Sequence, residues 1–277
     1  MYVSIVGVVL DTLLWFFVLV PPFLVLWVVV RLGFGLARAP PPPWARTPLD
    51  FVIRVYLLAH RVRVIDADGA NTAGALHVPG VDALRGALLM NHRSWGDFAF
   101  DVYQGRCSNV TRFAAFLVTG LGGVVALLSG RTIIYYRGST TRQQLQAKCA
   151  SHERYLIYPE GTRRGSAEDA DEPGALRPGG LKNIHEAGLG ATVVVAVDKE
   201  LIVDERRGTL SAACGGLCGG GATIYRAVSP TIQARDHKTF DLFLAAVEAE
   251  WRRTWARAYR LRDEHQRGAK TETSCLL

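Results

Sequence analysis

Lysine is scarce in this chain of 277 residues, since only five of its 32 basic residues are lysines. The clustered lysines interleaved with aromatic residues that are typical of nucleic-acid modules do not occur, so no nucleic-acid partner is predicted. The net charge of +7 and the pI near 9.3 still favour an anionic partner, either a membrane surface or a phosphorylated substrate. Arginine suits bidentate phosphate contacts, although a base-composition bias would explain its abundance equally well.

Cysteine is also rare, and its pattern excludes a disulfide framework. The five cysteines are odd in number and irregularly spaced, which favours a reducing compartment. Cys214 and Cys218 lie in a glycine-rich stretch, and no second pair of His or Cys follows at zinc-ligand spacing. No metal site is therefore predicted.

Basic residues are absent from positions 1–30, where the sequence is most apolar. The apolar run at 3–36 is longer than the roughly twenty residues needed to cross a bilayer. Pro21-Pro22 interrupts it, which leaves two alternatives: one kinked span, or a helix hairpin dipped into one leaflet. Without a basic start or a cleavage site the segment does not resemble a signal peptide. A membrane anchor is predicted at 1–38.

Arginines appear near the end of the apolar run and just beyond it, at Arg31, Arg38 and Arg46. The excess of positive charge on the cytosolic side of membrane segments places the rest of the chain in the cytosol. We therefore expect the protein on the endoplasmic reticulum or another internal membrane, with the phospholipid bilayer as a partner. The sequence makes no prediction of oligomeric state.

Alternation of short β-rich runs with helical patterns predicts an α/β fold with a largely parallel sheet flanked by helices. Residues 39–60 are predicted to form a linker and membrane-proximal segment, 61–237 the catalytic domain, and 238–277 an amphipathic C-terminal helix and tail. Strands are predicted at 61–66, 86–91, 112–118, 131–137, 154–160, 191–197 and 222–228. Helices are predicted at 97–104, 119–128, 139–150, 179–187 and 239–267. Ligands bind to such sheets beyond the carboxyl ends of the strands.

The stretch "ALLMNHRSWGD" ends an apolar strand on His92 and supplies Asp97 five positions later. The same spacing recurs at His77 and Asp82, and roughly a third of one such match is expected by chance. Context separates the copies, because His77 lies in a Pro-Gly loop while His92 follows a strand. His92 is therefore the candidate base.

Residues five apart on a helix do not face each other, so His92 and Asp97 meet only if the chain turns between them. In that case the carboxylate would orient the imidazole and stabilise its protonated form, as in a general-base dyad. No G-x-S-x-G or adjoining Cys supplies a nucleophile, so the hydroxyl is expected to belong to the substrate. Alternatively, Ser94-x-x-Asp97 fits a capping box, in which Asp97 would only cap a helix.

A second polar strand end occurs in "YLIYPEGTRRG" and a third in "GRTIIYYR", which ends on Arg137. The first of these offers a flexible backbone at Gly161 and a hydroxyl at Thr162, followed by guanidinium groups at Arg163 and Arg164. Three strand ends with phosphate-binding chemistry at one edge of a sheet indicate a site for a phosphorylated ligand.

The stretches "NHRSWGD", "GRTIIYYR" and "YPEGTRR" resemble three blocks of the glycerolipid acyltransferase family, which includes the PlsC-like 1-acyl-sn-glycerol-3-phosphate acyltransferases. The resemblance covers roughly residues 80–230. It implies transfer of a fatty acyl group from acyl-CoA, or from acyl carrier protein in bacteria, to a lysophospholipid hydroxyl. It also implies that acyl-CoA is a co-substrate, with no metal and no other cofactor.

Transferred to this chain, the resemblance makes His92 the base and Asp97 its orienting partner. It assigns binding of the glycerol phosphate to Arg137 and to the turn Glu160-Gly161-Thr162-Arg163. The most direct expectation is conversion of 1-acylglycerol-3-phosphate to phosphatidic acid.

Two departures from the family pattern concern the acceptor. The fourth block, which corresponds to residues 192–199, lacks the usual proline. A lysine-rich stretch is replaced by "LRPGGLK", so Arg177 or Lys182 could contact phosphate instead. Another lysophospholipid acceptor and a non-catalytic lipid-binding relative are the alternatives.

Overall fold

A computed structural model describes residues 20–37, 47–67, 76–94, 97–113, 116, 120–161, 172–202 and 221–274 of the chain. Its helices are α1 (Val20–Leu36), α2 (Pro48–Ala59), α3 (Asp97–Gly105), α4 (Gly120–Leu128), α5 (Arg142–Ala150), α6 (Pro178–Glu186) and α7 (Phe240–Ser274). Its strands are β1 (Arg63–Asp66), β2 (Gly86–Met90), β3 (Ser108–Arg112), β4 (Thr132–Tyr135), β5 (Arg154–Ile157), β6 (Gly190–Val197), β7 (Thr223–Val228) and β8 (Ile232–Gln233).

The strands form one mostly parallel sheet in the order β1-β7-β6-β2-β5-β3-β4. From β6 to β4 all neighbouring strands are parallel, whereas β7 and the short β8 pair antiparallel with β6. The predicted α/β fold with a largely parallel sheet is confirmed. Parallel neighbouring strands need a connection long enough to cross over the sheet, and the helices between the strands supply it.

The sheet separates two apolar cores, so helices cover both of its faces. Along β2, Leu88 and Met90 face the core shared with α2, α3 and α4. Ala87 and Leu89 face the core shared with α6 and α7. Because side chains alternate across a strand, a strand that packs against both layers is buried at every position, as β2 and β6 are.

The long C-terminal helix packs on the sheet through its aromatic side. Phe243, Val247, Trp251 and Trp255 are almost completely buried against β6 and β7. Each large apolar side chain buried in this way stabilises the fold by about 2 kcal/mol. The predicted amphipathic helix at 239–267 is confirmed, and it extends to Ser274.

The strand predicted at 112–118 is wrong. The strand in this part of the sheet is β3, Ser108–Arg112, which ends where the apolar run begins. Apolar runs of this length do not distinguish a strand from a buried helix. Polar residues such as Ser108 and Asn109 are more typical of loops than of a buried strand. The Ser108 hydroxyl is nevertheless hydrogen-bonded within β3, because it donates to the Gly130 carbonyl.

The predicted anchor at 1–38 lies partly outside the described residues. Within them, α1 carries exposed apolar side chains, among them Val25, Val29 and Leu32. Pro21 and Pro22 both belong to α1. No helix in the described part of the chain is both long and apolar enough to cross a bilayer.

The close approach of β2 and β6 depends on Gly86. Its φ is +93°, and a Cβ atom there would lie 2.3 Å from the backbone oxygen of Gly190. We predict that Gly86→Ala destabilises the fold by about 3 kcal/mol, because strain and a backbone clash add together. Gly80 also has a positive φ but no neighbour within 4 Å, so Gly80→Ala should cost about 1 kcal/mol. Denaturant unfolding followed by circular dichroism compares the two, and equal losses would contradict the packing argument.

Candidate active site

Five parallel strands end at one edge of the sheet and bring separate polar segments together there. Asn91 and His92 follow β2, Tyr158 to Gly161 follow β5, and Lys199 follows β6. Arg137 comes shortly after β4, the edge strand. The structure therefore places the three predicted polar strand ends at the same edge.

His92 and Asp97 are in direct contact. The chain leaves β2 after Met90, turns, and begins α3 at Asp97, so that His92 Nδ1 lies 3.0 Å from Asp97 Oδ2. The Asp97 side chain has no exposed surface, whereas that of His92 is 20% exposed. The contact predicted for a chain that turns between the two residues is thus present.

Asp97 also makes contacts of the kind expected of a helix-capping residue, which is the alternative role that the sequence suggested for it. Its carboxylate accepts hydrogen bonds from the backbone N–H groups of Arg93 and Ser94, the latter at 3.0 Å. The Ser94 hydroxyl donates to the other carboxylate oxygen at 3.1 Å. One carboxylate therefore both stabilises the start of α3 and contacts the imidazole, so the two hypotheses do not exclude each other.

The surroundings of Asp97 keep it ionised. Burial raises the pKa of a carboxyl group, but the Lys199 charge, the His92 hydrogen bond and the Arg93 backbone N–H together lower the pKa of Asp97 to about 2. An ionised carboxylate accepts hydrogen bonds and does not donate them, so His92 Nδ1 carries the proton of the neutral ring. Nε2 then has the free electron pair that a base requires.

Asn91, which directly precedes the histidine, joins the ends of two strands. Its amide nitrogen donates to the Ala196 carbonyl at 2.9 Å, and its amide oxygen accepts from the Ala196 N–H at 2.9 Å. This reciprocal pair extends the β2–β6 pairing by one side chain. The position of the His92 backbone is therefore tied to the centre of the sheet.

Glu160 and Gly161 organise the turn after β5. Glu160 is buried, and its carboxylate accepts from the backbone N–H groups of His92 and Gly174, both at 3.3 Å. Gly161 has a φ of +70°, which favours glycine, and a Cβ atom there would lie 2.4 Å from the Arg177 side chain, which would have to shift. Thr162 and Arg163, the other predicted binding residues of this turn, lie outside the described residues.

A cleft of about 810 Å³ opens beside His92. Its lining is cationic, and it includes the predicted Arg137. The other cationic residues of the lining are Arg112, Arg142, Arg177 and Lys182. None of the lining residues in the described part of the chain is acidic. Such a cleft suits a ligand with one or more phosphate groups.

Two buried residues, Lys199 and Asp101, and the half-buried Tyr158 escaped the sequence analysis. Lys199 Nζ lies 2.7 Å from Asp101 Oδ2 and 3.5 Å from Asp97 Oδ2. Tyr158 donates from its hydroxyl to Asp101 at 2.9 Å, and its ring stacks on His92 with 4.1 Å between centroids. The sequence carried one indication of Lys199, because the mostly apolar run of β6 leads almost directly into a lysine.

The C-terminal helix also contacts the turn between His92 and Asp97. The Arg93 guanidinium donates to the Tyr259 hydroxyl at 2.6 Å and lies 5.0 Å from the centre of the Trp255 ring. Arg93 is buried and its guanidinium group has lost hydration, so these two contacts compensate for that loss. α7 thereby holds the turn from the opposite side to α3.

The second His–Asp match has a different environment. His77 Nδ1 lies 2.9 Å from the Tyr103 carbonyl, and its ring stacks on Tyr103. Asp82 instead accepts from Arg106 at 2.7 Å with both oxygens. Burial, followed by the nearby Arg106 charge, lowers the pKa of His77 to about 4. His77 is therefore a neutral packing residue at physiological pH.

Comparison with known proteins supports the fold through structure alone. No protein-family model and no curated protein matches this chain. Its structure is similar to that of the 1-acyl-sn-glycerophosphate (LPA) acyltransferase PlsC from Thermotoga maritima, with a TM-score of 0.50 and 12% identity. The similarity covers 86% of this chain and 94% of that chain. At this identity the comparison shows a shared fold.

The lowered pKa of His77 predicts an acid-sensitive stability. An unfolded histidine binds a proton below about pH 6.5, whereas folded His77 resists protonation until about pH 4, so stability is lost as the pH falls through that window. Since the ring is partly exposed, we expect a loss of about 2 kcal/mol. In His77→Asn, the amide can still donate to the Tyr103 carbonyl but does not titrate, so its loss should be smaller. Denaturant unfolding at pH 7 and pH 4.5 tests this, with His265→Asn as the exposed control; equal losses in wild type and His77→Asn would contradict it.

Proposed function

We propose that this protein is a membrane-bound acyltransferase that moves a fatty acyl group from acyl-CoA to the free hydroxyl of a lysophospholipid. The observation that carries the proposal is the His92–Asp97 pair, whose histidine lines a cationic cleft. The shared fold with a PlsC acyltransferase supports it. The proposed acceptor is 1-acylglycerol-3-phosphate, and the product is phosphatidic acid.

The dyad suits direct attack of the acceptor on the thioester. Asp97 holds the imidazole with Nδ1 protonated, so Nε2 accepts the proton from the acceptor hydroxyl as its oxygen bonds to the thioester carbonyl carbon. The carbon–sulfur bond then breaks. The imidazolium returns its proton to the departing thiolate, which leaves His92 neutral for the next cycle. The chain needs no acyl-enzyme intermediate for this sequence of steps.

The cations of the cleft would bind the phosphate of the acceptor. Arg137 and Arg177 are exposed, and both line the cleft together with His92. Guanidinium groups hold phosphate oxygens through paired hydrogen bonds, which fixes orientation as well as position. This anchoring would bring the nearby glycerol hydroxyl to Nε2.

Membrane association is the part of the proposal that concerns the N-terminal segment. The exposed apolar side chains of α1, and of Val124, Leu127 and Leu128 on α4, suit contact with the acyl region of a bilayer. The membrane would deliver the insoluble acceptor, and the catalytic domain would face the cytosol, where acyl-CoA is found. We propose an internal membrane such as the endoplasmic reticulum.

Two other functions remain as outcomes of the test. A lysophospholipid with a larger head group would use the same chemistry, because the dyad contacts only the hydroxyl. A non-catalytic lipid-binding protein would not need an ionised, fully buried Asp97 on the imidazole. The dyad therefore favours an enzyme.

A panel assay tests the proposed function. Purified full-length protein is given one labelled acyl-CoA and a set of lysophospholipids that differ in head group, and thiol release and the lipid product are measured. We expect the highest kcat/KM with 1-acylglycerol-3-phosphate. His92→Asn keeps a donor for Asp97 but removes Nε2, so it should lower kcat by at least about a thousandfold.

The matched control is His77→Asn, which should keep wild-type turnover at pH 7.5. Turnover by His92→Asn at the wild-type rate would exclude His92 as the base. Loss of turnover in His77→Asn alone would mean that the other copy of the motif is the functional one. Absence of transfer to every acceptor would favour the lipid-binding alternative.

A further prediction concerns the phosphate-binding arginines. Arg137→Ala and Arg177→Ala should each raise the KM for 1-acylglycerol-3-phosphate about tenfold and change kcat little, because each removes a charge-assisted hydrogen bond. The KM for monoacylglycerol, which lacks the phosphate, should stay the same in both variants. Arg252→Ala, on the exposed surface of α7, is the control. An unchanged KM for the phosphorylated acceptor would contradict the assignment.

A further inference from the structure

A buried charge network lies directly behind the His92–Asp97 pair. Asp97, Asp101 and Lys199 have no exposed surface. The Lys199 ammonium donates to Asp101 at 2.7 Å and to the Asn91 carbonyl. Its Nζ also lies 3.5 Å from Asp97 Oδ2. It therefore contacts the backbone before His92 and both carboxylates of α3 at once.

Asp101 is surrounded by donors. Its Oδ2 accepts from Lys199 and from the Tyr158 hydroxyl at 2.9 Å, and its Oδ1 accepts from Gln104 Nε2 at 2.6 Å. Burial raises the pKa of Asp101, and the Lys199 ammonium opposes that effect. Three donors and no acceptor are the surroundings of a carboxylate rather than of a carboxylic acid.

The net charge of this network, counted together with His92, changes during the proposed reaction. With His92 neutral, two carboxylates and one ammonium leave a net charge of one negative unit in a site without water contact. A proton on His92 makes the group neutral. Because a buried net charge is costly, the network favours the imidazolium that forms when the acceptor hydroxyl is deprotonated.

Lys199 and Asp101 act on this balance in opposite directions. The ammonium repels a proton on His92 and holds Asp97 as a carboxylate, while Asp101 attracts the proton and holds the ammonium in place. Tyr158 links the network to the imidazole, since its hydroxyl binds Asp101 and its ring stacks on His92. Neither Asp101 nor Lys199 lines the cleft.

We propose that Lys199 and Asp101 are positioning residues that together set the proton affinity of His92. The proposal rests on the proposed function only in giving His92 the role of base. A purely structural pair would support the fold in the same place without controlling the imidazole, so the two possibilities differ in what happens to His92 when one charge is removed.

Other ionisable groups face this site and enter the design of the test. Glu160 contacts the His92 backbone, and Arg93 lies in the turn beside it. Asp198 precedes Lys199, and burial followed by the Glu200 charge raises the pKa of Asp198 to about 6. Asp198 would therefore titrate in the same range as a histidine, and Asp198→Asn removes that titration. Asparagine tolerates the φ of +65° found there.

The experiment follows the His92 imidazole itself by nitrogen NMR of full-length protein labelled at histidine. Its signal is identified by loss in His92→Asn. Lys199→Met should move the midpoint of the His92 titration to higher pH by about one unit, and Asp101→Asn should move it to lower pH by about one unit. The double variant, which keeps the wild-type net charge of the network, should lie between them. Lys238→Met makes the same exchange at an exposed site and should change nothing.

Opposite shifts in the two single variants would support the proposal, and the acid limb of kcat/KM should move in the same direction in each. Unmoved midpoints, or shifts of the same sign, would overturn it, because a structural role lowers stability and turnover without sorting by charge. If Lys199→Met fails to fold by circular dichroism, the downward shift in Asp101→Asn decides. The titration needs no turnover, so a protein without transferase activity would refute the proposed function separately from this inference.

Discussion

The Asp97 carboxylate is completely buried, and the cost of burying a charge organises the structure around it. It is compensated by the His92 ring, by the N–H groups of Arg93 and Ser94, and by Lys199. Each compensating group comes from a position that must be held accurately. The turn after β2, the start of α3 and the end of β6 are therefore fixed by the same carboxylate.

Neighbouring contacts carry this order outwards to the rest of the fold. Asn91 ties the histidine to β6, and Glu160 ties it to the turn after β5. Arg93 ties the turn after β2 to Tyr259 on α7, at the far side of the sheet. A site built in this way is rigid on its buried side, while the cationic cleft leaves the other side open to a ligand.

Much of the fold was predictable because alternating strand and helix patterns are local. The parallel sheet, the helices α3 to α6 and the long amphipathic α7 follow from periodicity and apolar runs. β3 was misplaced because its buried residues are polar and its hydrogen bonds to Gly130 and His152 come from distant segments. The burial of Lys199 was missed for the same reason, since its partners Asn91 and Asp101 lie about a hundred positions earlier in the chain.

The order of the polar strand ends, the His92–Asp97 spacing and the arginine-rich charge can be read from the amino-acid sequence alone. These depend on neighbouring residues and on composition, so no folded structure is needed to see them. The folded chain is needed to tell which of the two identical spacings forms a pair: Asp97 contacts His92, whereas Asp82 binds Arg106 and His77 packs on Tyr103. The difference arises because burial and long-range partners, rather than spacing, set the contacts and the charge of each group.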